Sequence, residues 1–302
     1  MITFAIPFYK DRDYLHRALR SVLAQTNGAW RVLICDDGDD PHVEKIVERL
    51  GDSRVRYYRN PQRLGMVGNW NRCLELADTE YVTLLHADDE LLPHYVEAIK
   101  VGWQSFPEAV LLFPRARVID AKSRPIFSFP DFYKSLLVPA RSQAYRLLGE
   151  QGVRRLLKGN FIFCPSVCMR KSALGTHRFS PKWKMVQDLE LWTRLLLRGG
   201  ELVGLPETAY AYRRHDKNST TEYTQNLLRF REESLLYAEL ANTLAQVGAA
   251  SAARVARRAT IIKLNVAYCL VKDLCGFHWR AAGEKAAFLR ELFTSKHRLQ
   301  VR

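Results

Sequence analysis

Residues 81–90 read Tyr81-Val82-Thr83-Leu84-Leu85-His86-Ala87-Asp88-Asp89-Glu90. The first half is β-branched and leucine-rich, which is typical of a strand buried on both faces of a parallel sheet. Two adjacent carboxylates follow, and in open α/β sheets ligands bind beyond the carboxyl ends of the strands. Because Asp88 and Asp89 repel one another, one interpretation is a divalent cation between them. The other is a helix N-cap at Asp89, with Asp88 simply solvated.

The segments before this stretch alternate between strand and helix patterns. Apolar runs predict strands at 2–7, 30–35, 55–59 and 81–86, and helical periodicity predicts a helix in each interval. The order β-α-β-α-β-α-β predicts a parallel sheet with right-handed crossovers, and acidic residues end two of its strands. No P-loop is present and no G-x-G-x-x-G follows the first strand, so a glycine cradle for phosphate is not expected.

The chain beyond residue 90 is predicted to continue the α/β pattern and then to become helical. We expect a helix from Pro93 to Phe106, a strand at 110–113, an irregular loop at 122–139, a basic helix at 145–158, an apolar strand at 160–169 and a helix after Gln187. From residue 225 onward the pattern is helical, with 13 Lys or Arg against 6 Asp or Glu. The predicted division is therefore 1–115, 116–224 and 225–302.

Bulk composition limits the class of protein. The 302 residues are 47% hydrophobic and 26% charged, as in a globular protein, and the net charge of +14 calls for an anionic partner. Six cysteines without a C-x-x-C pair argue against a zinc ribbon and favour a reducing cytosol. The first residues lack the pattern of a signal peptide, and no apolar run approaches the ~18 residues that span a bilayer. We therefore expect a cytoplasmic protein.

The ordered motifs resemble those of the family 2 glycosyltransferases, inverting enzymes of the GT-A fold that use nucleotide-diphosphate sugars. The resemblance covers about residues 1–220. It rests on Phe4–Lys10, Leu15 with Ser21–Thr26, Ile34–Gly38, Gly65 with Asn71 before Ala77, and Ala87–Asp89. Two departures stand out. Asn69-Trp70 replace the Ala-Arg of the family's G-x-x-x-A-R-N helix, and His86 stands where many members carry an acid. We interpret His86 as a structural hydrogen-bonding residue at the strand end.

The resemblance implies a mostly parallel Rossmann-like sheet flanked by helices, and it implies site residues. Asp36 would contact the base, and Pro7 and Tyr9 would line its pocket. The implied nucleotide-sugar site consists of Pro7, Tyr9, Asp36, Gly65, Asp88 and Arg213. The implied ligands of Mn²⁺ or Mg²⁺ are Asp89, Asp88 and His215, and oxygen ligands suit either ion.

Gln187-Asp188 resembles the family's E-D element, whose aspartate is the general base. Asp188 would take a proton from an acceptor hydroxyl as its oxygen attacks the anomeric carbon opposite the leaving group, which gives inversion. The alternatives are an N-capping role for Asp188 and Glu190 as the base. Residues 212–215, with Asn218 and Ser219, resemble the family's closing R-x-H-x-x-N-x-S loop, and a solvated basic turn is the alternative.

The function implied is transfer of a sugar to a hydroxyl of a glycan or lipid-linked acceptor in cell-surface polysaccharide or glycoconjugate synthesis. The apolar stripe Phe288, Leu289, Leu292 and Phe293 has basic flanks. As an amphipathic segment, 284–302 would lie on the anionic inner face of the membrane, or else pack against the catalytic domain or a second copy of the chain.

Two rival interpretations are a basic nucleotide- or nucleic-acid-binding protein and a nucleotidyltransferase. The sequence lacks the RNA-binding aromatic motif of an RRM, and residues 5–12 contain no glycine for a nucleotidyltransferase loop. We expect no nucleic-acid partner.

Overall fold

The structure, a computed structural model, describes residues 1–38, 40–215 and 219–294. The strands of these residues form one mixed sheet. Within these residues the strands are β1 (Ile2–Phe8), β2 (Trp30–Asp36), β3 (Val55–Arg59), β4 (Tyr81–Leu84), β5 (Glu90–Leu91), β6 (Leu111–Ile119), β7 (Tyr145–Leu147), β8 (Cys168–Arg170) and β9 (Leu202–Arg213). Their order is β3-β2-β1-β4-β8-β6-β9-β5, with β7 paired to β9.

Helices flank the sheet and make up the C-terminal region of the described chain. They are α1 (Arg12–Leu23), α2 (His42–Leu50), α3 (Gly65–Leu76), α4 (Tyr95–Ser105), α5 (Phe129–Leu137), α6 (Gly149–Leu156), α7 (Lys171–Leu174), α8 (Gln187–Leu197), α9 (Ser219–Gln225), α10 (Leu228–Gln246), α11 (Ala250–Arg258), α12 (Thr260–Cys275) and α13 (Trp279–Thr294). Among the described helices none has both the length and the apolar character needed to cross a membrane.

The four strands of the N-terminal half are parallel, as the sequence predicts. β1 pairs with β2 and β4, and β2 pairs with β3, all in parallel register. Along β2, Val32 and Ile34 enter one apolar cluster, whereas Leu33 and Cys35 enter the other on the opposite face. Burial on both faces explains why these strands are continuous apolar runs. β8 then runs antiparallel to both β4 and β6, which joins the second half to the first.

Three predicted elements differ from the structure, each near a proline or glycine. The predicted loop 122–139 contains α5, whose Pro130 lies in the first turn, where a helix tolerates proline. The predicted helix 145–158 is divided at Gly149, with φ of +42°, into β7 and α6. The predicted strand 160–169 contains a 3₁₀ turn at Cys164–Ser166 followed by the start of β8, because Pro165 cannot donate to a strand ladder.

Most of the C-terminal apolar stripe packs inside the protein. Phe288 is 6% exposed, and Leu289 and Leu292 pack against the same apolar cluster. Phe293 is 58% exposed. The adjacent Lys285 is buried and pairs with Asp273, with Nζ and Oδ2 2.6 Å apart. The stripe therefore serves mainly to attach α13, while residues 295–302 and Asn218 lie outside the described part of the chain.

The C-terminal helices are joined to the segment before α8 by a buried carboxylate. Glu232 of α10 accepts hydrogen bonds from the backbone N–H of Lys184 at 3.0 Å and of Met185 at 2.8 Å. One apolar cluster contains Ala5, Leu156 and Phe288, so residues from all three predicted parts share a core. The division at residues 115 and 224 stays a prediction.

We predict that Asp37→Ala lowers the free energy of unfolding by about 3 kcal/mol, because it leaves buried donors unpaired. Asp37 is 7% exposed and accepts from Asn60 Nδ2, Leu64 N and Gly65 N at 2.7 to 2.9 Å. Denaturant unfolding measures the change. As a control, Asp78→Ala removes a half-exposed surface carboxylate and should cost less than about 1 kcal/mol. Equal losses would contradict the structural role of Asp37.

Candidate active site

The carboxyl ends of β2, β1 and β4 bring the predicted donor-site residues to one edge of the sheet. Asp36 ends β2 and lies in register with Phe8 of β1, and Asp88 follows β4 on the other side of β1. Two strand spacings amount to roughly 10 Å, so a ligand of nucleotide size can contact both ends. Sheets of this kind bind ligands at such an edge.

The turn after β2 is built around Asp36. Its fully buried carboxylate accepts from Tyr57 Oη and Gly38 N, both at 2.8 Å. Burial, with the neighbouring Asp36 carboxylate, raises the pKa of Tyr57, so Tyr57 stays a donor. A Cβ at position 38 would lie 2.4 Å from the carbonyl oxygen of Tyr9, so this turn requires glycine.

The predicted base pocket lies beside this turn. Pro7 is half-buried in β1, and the Tyr9 ring is 44% exposed. The guanidinium of Arg63 lies over the Tyr9 ring, 4.3 Å from its centroid. Arg63 is a loop residue that the sequence did not single out, because a single arginine in a polar loop carries no pattern. Gly65 starts α3 with φ of +72° and donates its N–H to Asp37. Its part in the predicted nucleotide-sugar site is therefore played by its backbone.

Asp89 is buried and does not cap a helix. The next element is β5, and α4 begins only at Tyr95, so the N-cap interpretation of Asp89 was wrong. The carboxylate, 1% exposed, accepts from Arg213 N at 2.7 Å and Tyr210 Oη at 3.0 Å. Burial, together with the charge of Asp88, raises the pKa of Asp89.

Asp88 faces the cleft more openly, with 32% of its side chain exposed. Its Oδ2 lies 3.1 Å from His215 Nε2, and the His215 ring packs against Tyr14. Burial alone would raise the pKa of Asp88, but the hydrogen bond from His215 outweighs it, together with the neighbouring imidazoles, and the pKa is lowered. Asp88 is therefore an anion at neutral pH.

Arg213 is a fully buried residue of β9 that contacts the loops around the two aspartates. Its Nε donates to the carbonyl of Asp88 at 2.6 Å, and its Nη1 donates to the carbonyl of Asp120 at 2.7 Å. It also pairs with Glu90 and donates to Ser123 Oγ. These contacts position the Asp88–Asp89 loop, and direct contact of Arg213 with the nucleotide sugar stays a prediction.

His86, Asp88 and Asp89 form a group of candidate metal ligands. One donor atom from each lies within 4.8 Å of the others. Burial lowers the pKa of His86, opposed by the charge of Asp88, so its imidazole is neutral. His86 Nε2 is buried without a hydrogen-bond partner among the described residues, so the hydrogen-bonding role predicted for it is not seen at that atom. A neutral nitrogen beside two carboxylates fits a divalent cation.

The ring of Trp70 packs against the ring of His86. The two rings lie 4.9 Å apart, and the edge of Phe179 approaches Trp70 at 5.2 Å. Phe179 in turn contacts Trp192 of α8 at 6.1 Å. Asn71 fixes Phe179 through two hydrogen bonds with its backbone, at 2.9 and 3.0 Å. Packed aromatic rings therefore connect the candidate metal ligands to the helix that carries Asp188.

Asp188 is the second residue of α8 and does not cap it, because the N-cap is Val186. Its Oδ2 accepts from Asn160 Nδ2 at 2.9 Å, and its Oδ1 accepts from Leu189 N at 2.7 Å. Burial raises the pKa of Asp188, although the charge of Lys134 acts in the opposite direction. A raised pKa makes the carboxylate a stronger base than an ordinary aspartate.

The competing candidate, Glu190, is already engaged. Its carboxylate forms a bidentate pair with Arg194, with Nε–Oε1 2.8 Å and Nη2–Oε2 3.0 Å. This pairing favours Asp188 over Glu190 as the base.

An apolar cavity of about 240 Å³ lies between β6 and α5. Its aromatic lining comprises Phe113, Phe127, Phe132, Tyr145, Phe161 and Phe163. Lys134 of α5 also lines it, with its ammonium group 5.0 Å from the Phe163 ring centroid. Two lining residues connect the cavity to the candidate base: Phe161 directly follows Asn160, the hydrogen-bond partner of Asp188, and the charge of Lys134 lowers the pKa of Asp188. Part of this lining comes from 122–139, the segment that the sequence predicts as an irregular loop, either over a cleft or on the plain surface.

Comparison with solved structures defines the class of fold. The structure superposes on residues 1–349 of S. aureus TarS in complex with UDP-GlcNAc with a TM-score of 0.61 and 15% identity, covering 80% of this chain and 66% of that one. At this identity the likeness shows the fold alone, which is GT-A.

The model of Glycosyl transferase family 2 matches residues 3–176, more than half of the chain. The chain belongs to this family. The membership removes the support for a nucleic-acid-binding protein or a nucleotidyltransferase.

Two curated relatives illustrate the match. One is 28% identical over 204 residues, 66% of this chain and 62% of the relative, which is the uncharacterized protein MT1568 of Mycobacterium tuberculosis. The other is 24% identical over 202 residues, 66% of this chain and 71% of the relative. It is the UDP-Glc:alpha-D-GlcNAc-diphosphoundecaprenol beta-1,3-glucosyltransferase WfaP of Escherichia coli. The matched segment thus spans less than two thirds of MT1568.

We predict that Asp88→Asn weakens Mn²⁺ binding by at least about tenfold, since it removes an anionic candidate ligand. Titration of the purified chain followed by the EPR signal of free Mn²⁺ measures the affinity. Asp78→Asn, which changes a surface aspartate paired with Arg31, is the matched control and should leave it unchanged. An unaltered affinity in Asp88→Asn would remove Asp88 from the metal site.

Proposed function

We propose that the chain transfers a sugar from a nucleotide-diphosphate sugar to a hydroxyl of an acceptor, with inversion. The proposal rests on the positions of three aspartates relative to one another. Asp36 and Asp88 lie at the ends of parallel strands, and Asp188, with its raised pKa, lies on a helix linked to them by packed aromatic rings. Asp36 and Asp88 are placed to bind a nucleotide diphosphate with its metal ion, and Asp188 is placed to act as the general base.

The donor would occupy the edge formed by β1, β2 and β4. Tyr9 and Arg63 offer an exposed stacked pair for the base, and the buried Asp36 would hold the turn beside that pair through its bonds with Gly38 and Tyr57. TarS was crystallised with UDP-GlcNAc, and WfaP is named for a UDP-glucose donor. Both support a uridine nucleotide as the donor.

His86, Asp88 and Asp89 would hold the metal ion, with His215 beside Asp88. Mg²⁺ prefers oxygen ligands throughout, so a histidine nitrogen in the group favours Mn²⁺. When bound, the ion would neutralise charge on the departing nucleoside diphosphate. The buried N–H and hydroxyl donors to Asp89 would keep that carboxylate in a fixed orientation.

Asp188 would remove the proton of the attacking hydroxyl. The acceptor oxygen forms a bond to the anomeric carbon as the bond from that carbon to the diphosphate oxygen breaks, and the proton passes to an oxygen of Asp188. Asn160 and the N–H of Leu189 orient the carboxylate. Attack from the face opposite the leaving group inverts the anomeric centre.

The acceptor would be a lipid-linked glycan used in cell-surface polysaccharide synthesis. WfaP is named for a diphosphoundecaprenol-linked acceptor, and the cavity between β6 and α5 has the aromatic walls that sugar rings and apolar groups contact favourably. We place this reaction at the cytoplasmic face of the membrane, where the free cysteines remain reduced. Of the stripe predicted to face the membrane in 284–302, Phe293 stays exposed.

A panel of sugar nucleotides tests the proposal. A specific donor raises the melting temperature of the purified chain, more so with Mn²⁺, because it binds only the folded state. Slow hydrolysis of the same donor should follow. Failure of every common sugar nucleotide to bind or turn over would refute the proposed function.

Asp188→Asn is expected to lower kcat by about 10²- to 10⁴-fold, because a positioned base contributes that much. Donor binding measured by thermal shift should stay unchanged. Glu190→Gln is the comparison variant and should keep most of the turnover, since the carboxylate it removes is paired with Arg194. The reverse ranking would make Glu190 the base.

The pH profile should depend on Lys134. The base acts when deprotonated, so turnover falls as the pH drops through the raised pKa of Asp188. Lys134→Met removes the charge that lowers this pKa, so the acidic limb of kcat should move to higher pH. Lys182→Met, at an exposed lysine paired with Glu239, should leave the limb in place. An unmoved or downward-shifted limb in Lys134→Met would contradict the assignment.

A further inference from the structure

Helix α12 has apolar residues on two opposite faces. Ile262 and Val266 are fully buried against the protein. On the other side, Leu264 is 52% exposed, Tyr268 39% and Val271 57%. Their i, i+4, i+7 spacing places these three on one face of the helix. An apolar face turned outward on a surface helix calls for a partner.

Helix α5 extends this face. Phe129 is 51% exposed, Phe132 46% and Leu136 56%, again at spacings that share one side of a helix. The rings of Phe129 and Tyr268 stack with centroids 5.4 Å apart, so the two helices present one continuous apolar area. We call this area the α5–α12 surface; it consists of Phe129, Phe132, Leu136, Leu264, Tyr268 and Val271.

Exposed aromatic residues and basic residues occur in α12 and in the chain segments that flank it. Phe277 is 75% exposed and Trp279 65%, immediately after the end of α12. Residues 250–275 carry five Lys or Arg against one acidic residue, and that residue, Asp273, is paired with Lys285. Exposed Phe and Trp after α12, with Lys263 and Lys272 on either side of its apolar face by helical spacing, match the interface of an anionic bilayer, where rings enter the headgroup region and cations meet lipid phosphates.

We propose that the α5–α12 surface lies on an anionic phospholipid bilayer. The proposal rests on the proposed function, in which the acceptor is lipid-linked. Phe132 and Lys134 of α5 also line the cavity between β6 and α5, so the bilayer and the acceptor cavity would be separated by one helix, about 10 Å thick. An acceptor anchored in the bilayer would then reach the base without leaving the membrane.

The charge of this region favours a bilayer over a second copy of the chain. In a two-fold dimer the same surface would face itself, so Lys263 and Lys272, which flank the apolar face of α12, would be brought near their own copies and repel them. An anionic bilayer supplies the opposite charge.

Vesicle co-sedimentation of the full-length chain tests the surface. The wild-type chain should bind vesicles of phosphatidylglycerol and phosphatidylcholine at low salt, and bind pure phosphatidylcholine far more weakly. Leu264→Gln/Val271→Gln should lower partitioning into the anionic vesicles about tenfold, because two side chains lose their apolar contact with lipid. The matched pair Leu50→Gln/Val101→Gln, at exposed residues of α2 and α4, should bind as the wild type does.

Three results would overturn the proposal. The first is equal vesicle binding by the surface variant and the wild type. The second is absence of wild-type binding to anionic vesicles. The third is a wild-type dimer in sedimentation velocity that the surface variant converts to monomer, since a second copy would then cover the surface.

Donor hydrolysis without vesicles separates this proposal from the proposed function. If the wild-type chain hydrolyses the donor normally but does not bind anionic vesicles, the membrane proposal is refuted and the proposed function is not. Selective loss of vesicle binding in the surface variant supports the surface, even for a chain that turns over no sugar nucleotide.

Discussion

Two neighbouring carboxylates at the end of a buried strand are stable only if donors and positive charge surround them, because desolvation and mutual repulsion both oppose their ionisation. Here β9 supplies those groups. Arg213 contributes its backbone N–H to Asp89 and its guanidinium to the carbonyl of Asp88, while Tyr210 donates to Asp89 from the same strand. The antiparallel β5–β9 pairing holds this strand beside the loop. The second half of the sheet thus determines whether the first half can present its acids.

The two departures from the family pattern contact one another. The resemblance predicts arginine at position 70 and favours an acid at position 86, whereas this chain has Trp70 and His86 with their rings 4.9 Å apart. This chain therefore has two tilted, uncharged rings where the family pattern has an arginine and an acid, consistent with the burial that lowers the pKa of His86. Either substitution alone would leave a charge facing an aromatic ring. Together they keep the site neutral at this point and leave a nitrogen facing the two aspartates.

The sequence predicted the parallel half of the sheet because each strand there is a continuous apolar run, buried on both faces, and the apolar residues of each helix recur at the helical period. It did not predict α5, because Pro130 and the surrounding aromatic residues have the composition of a loop. The helix depends on packing against the rest of the protein, which local sequence does not show. The roles of individual residues depended on long-range contacts. Nothing local shows that Arg213 is buried by Glu90 and Asp120, or that Arg63 reaches the ring of Tyr9. Local patterns therefore located Asp188 and Asp88 but did not define their partners.

Glu232 gives the C-terminal helices a part in the geometry of the site. Its carboxylate on α10 holds the backbone N–H groups of Lys184 and Met185, just before the helix that begins with Gln187 and Asp188. A chimera that takes its helices from a relative and keeps residues 182–188 from this chain would lose this contact unless the incoming helix has a carboxylate at the same place. The unit of exchange between members of the family is therefore the helix together with the backbone segment it holds, even though they are almost fifty residues apart in the chain.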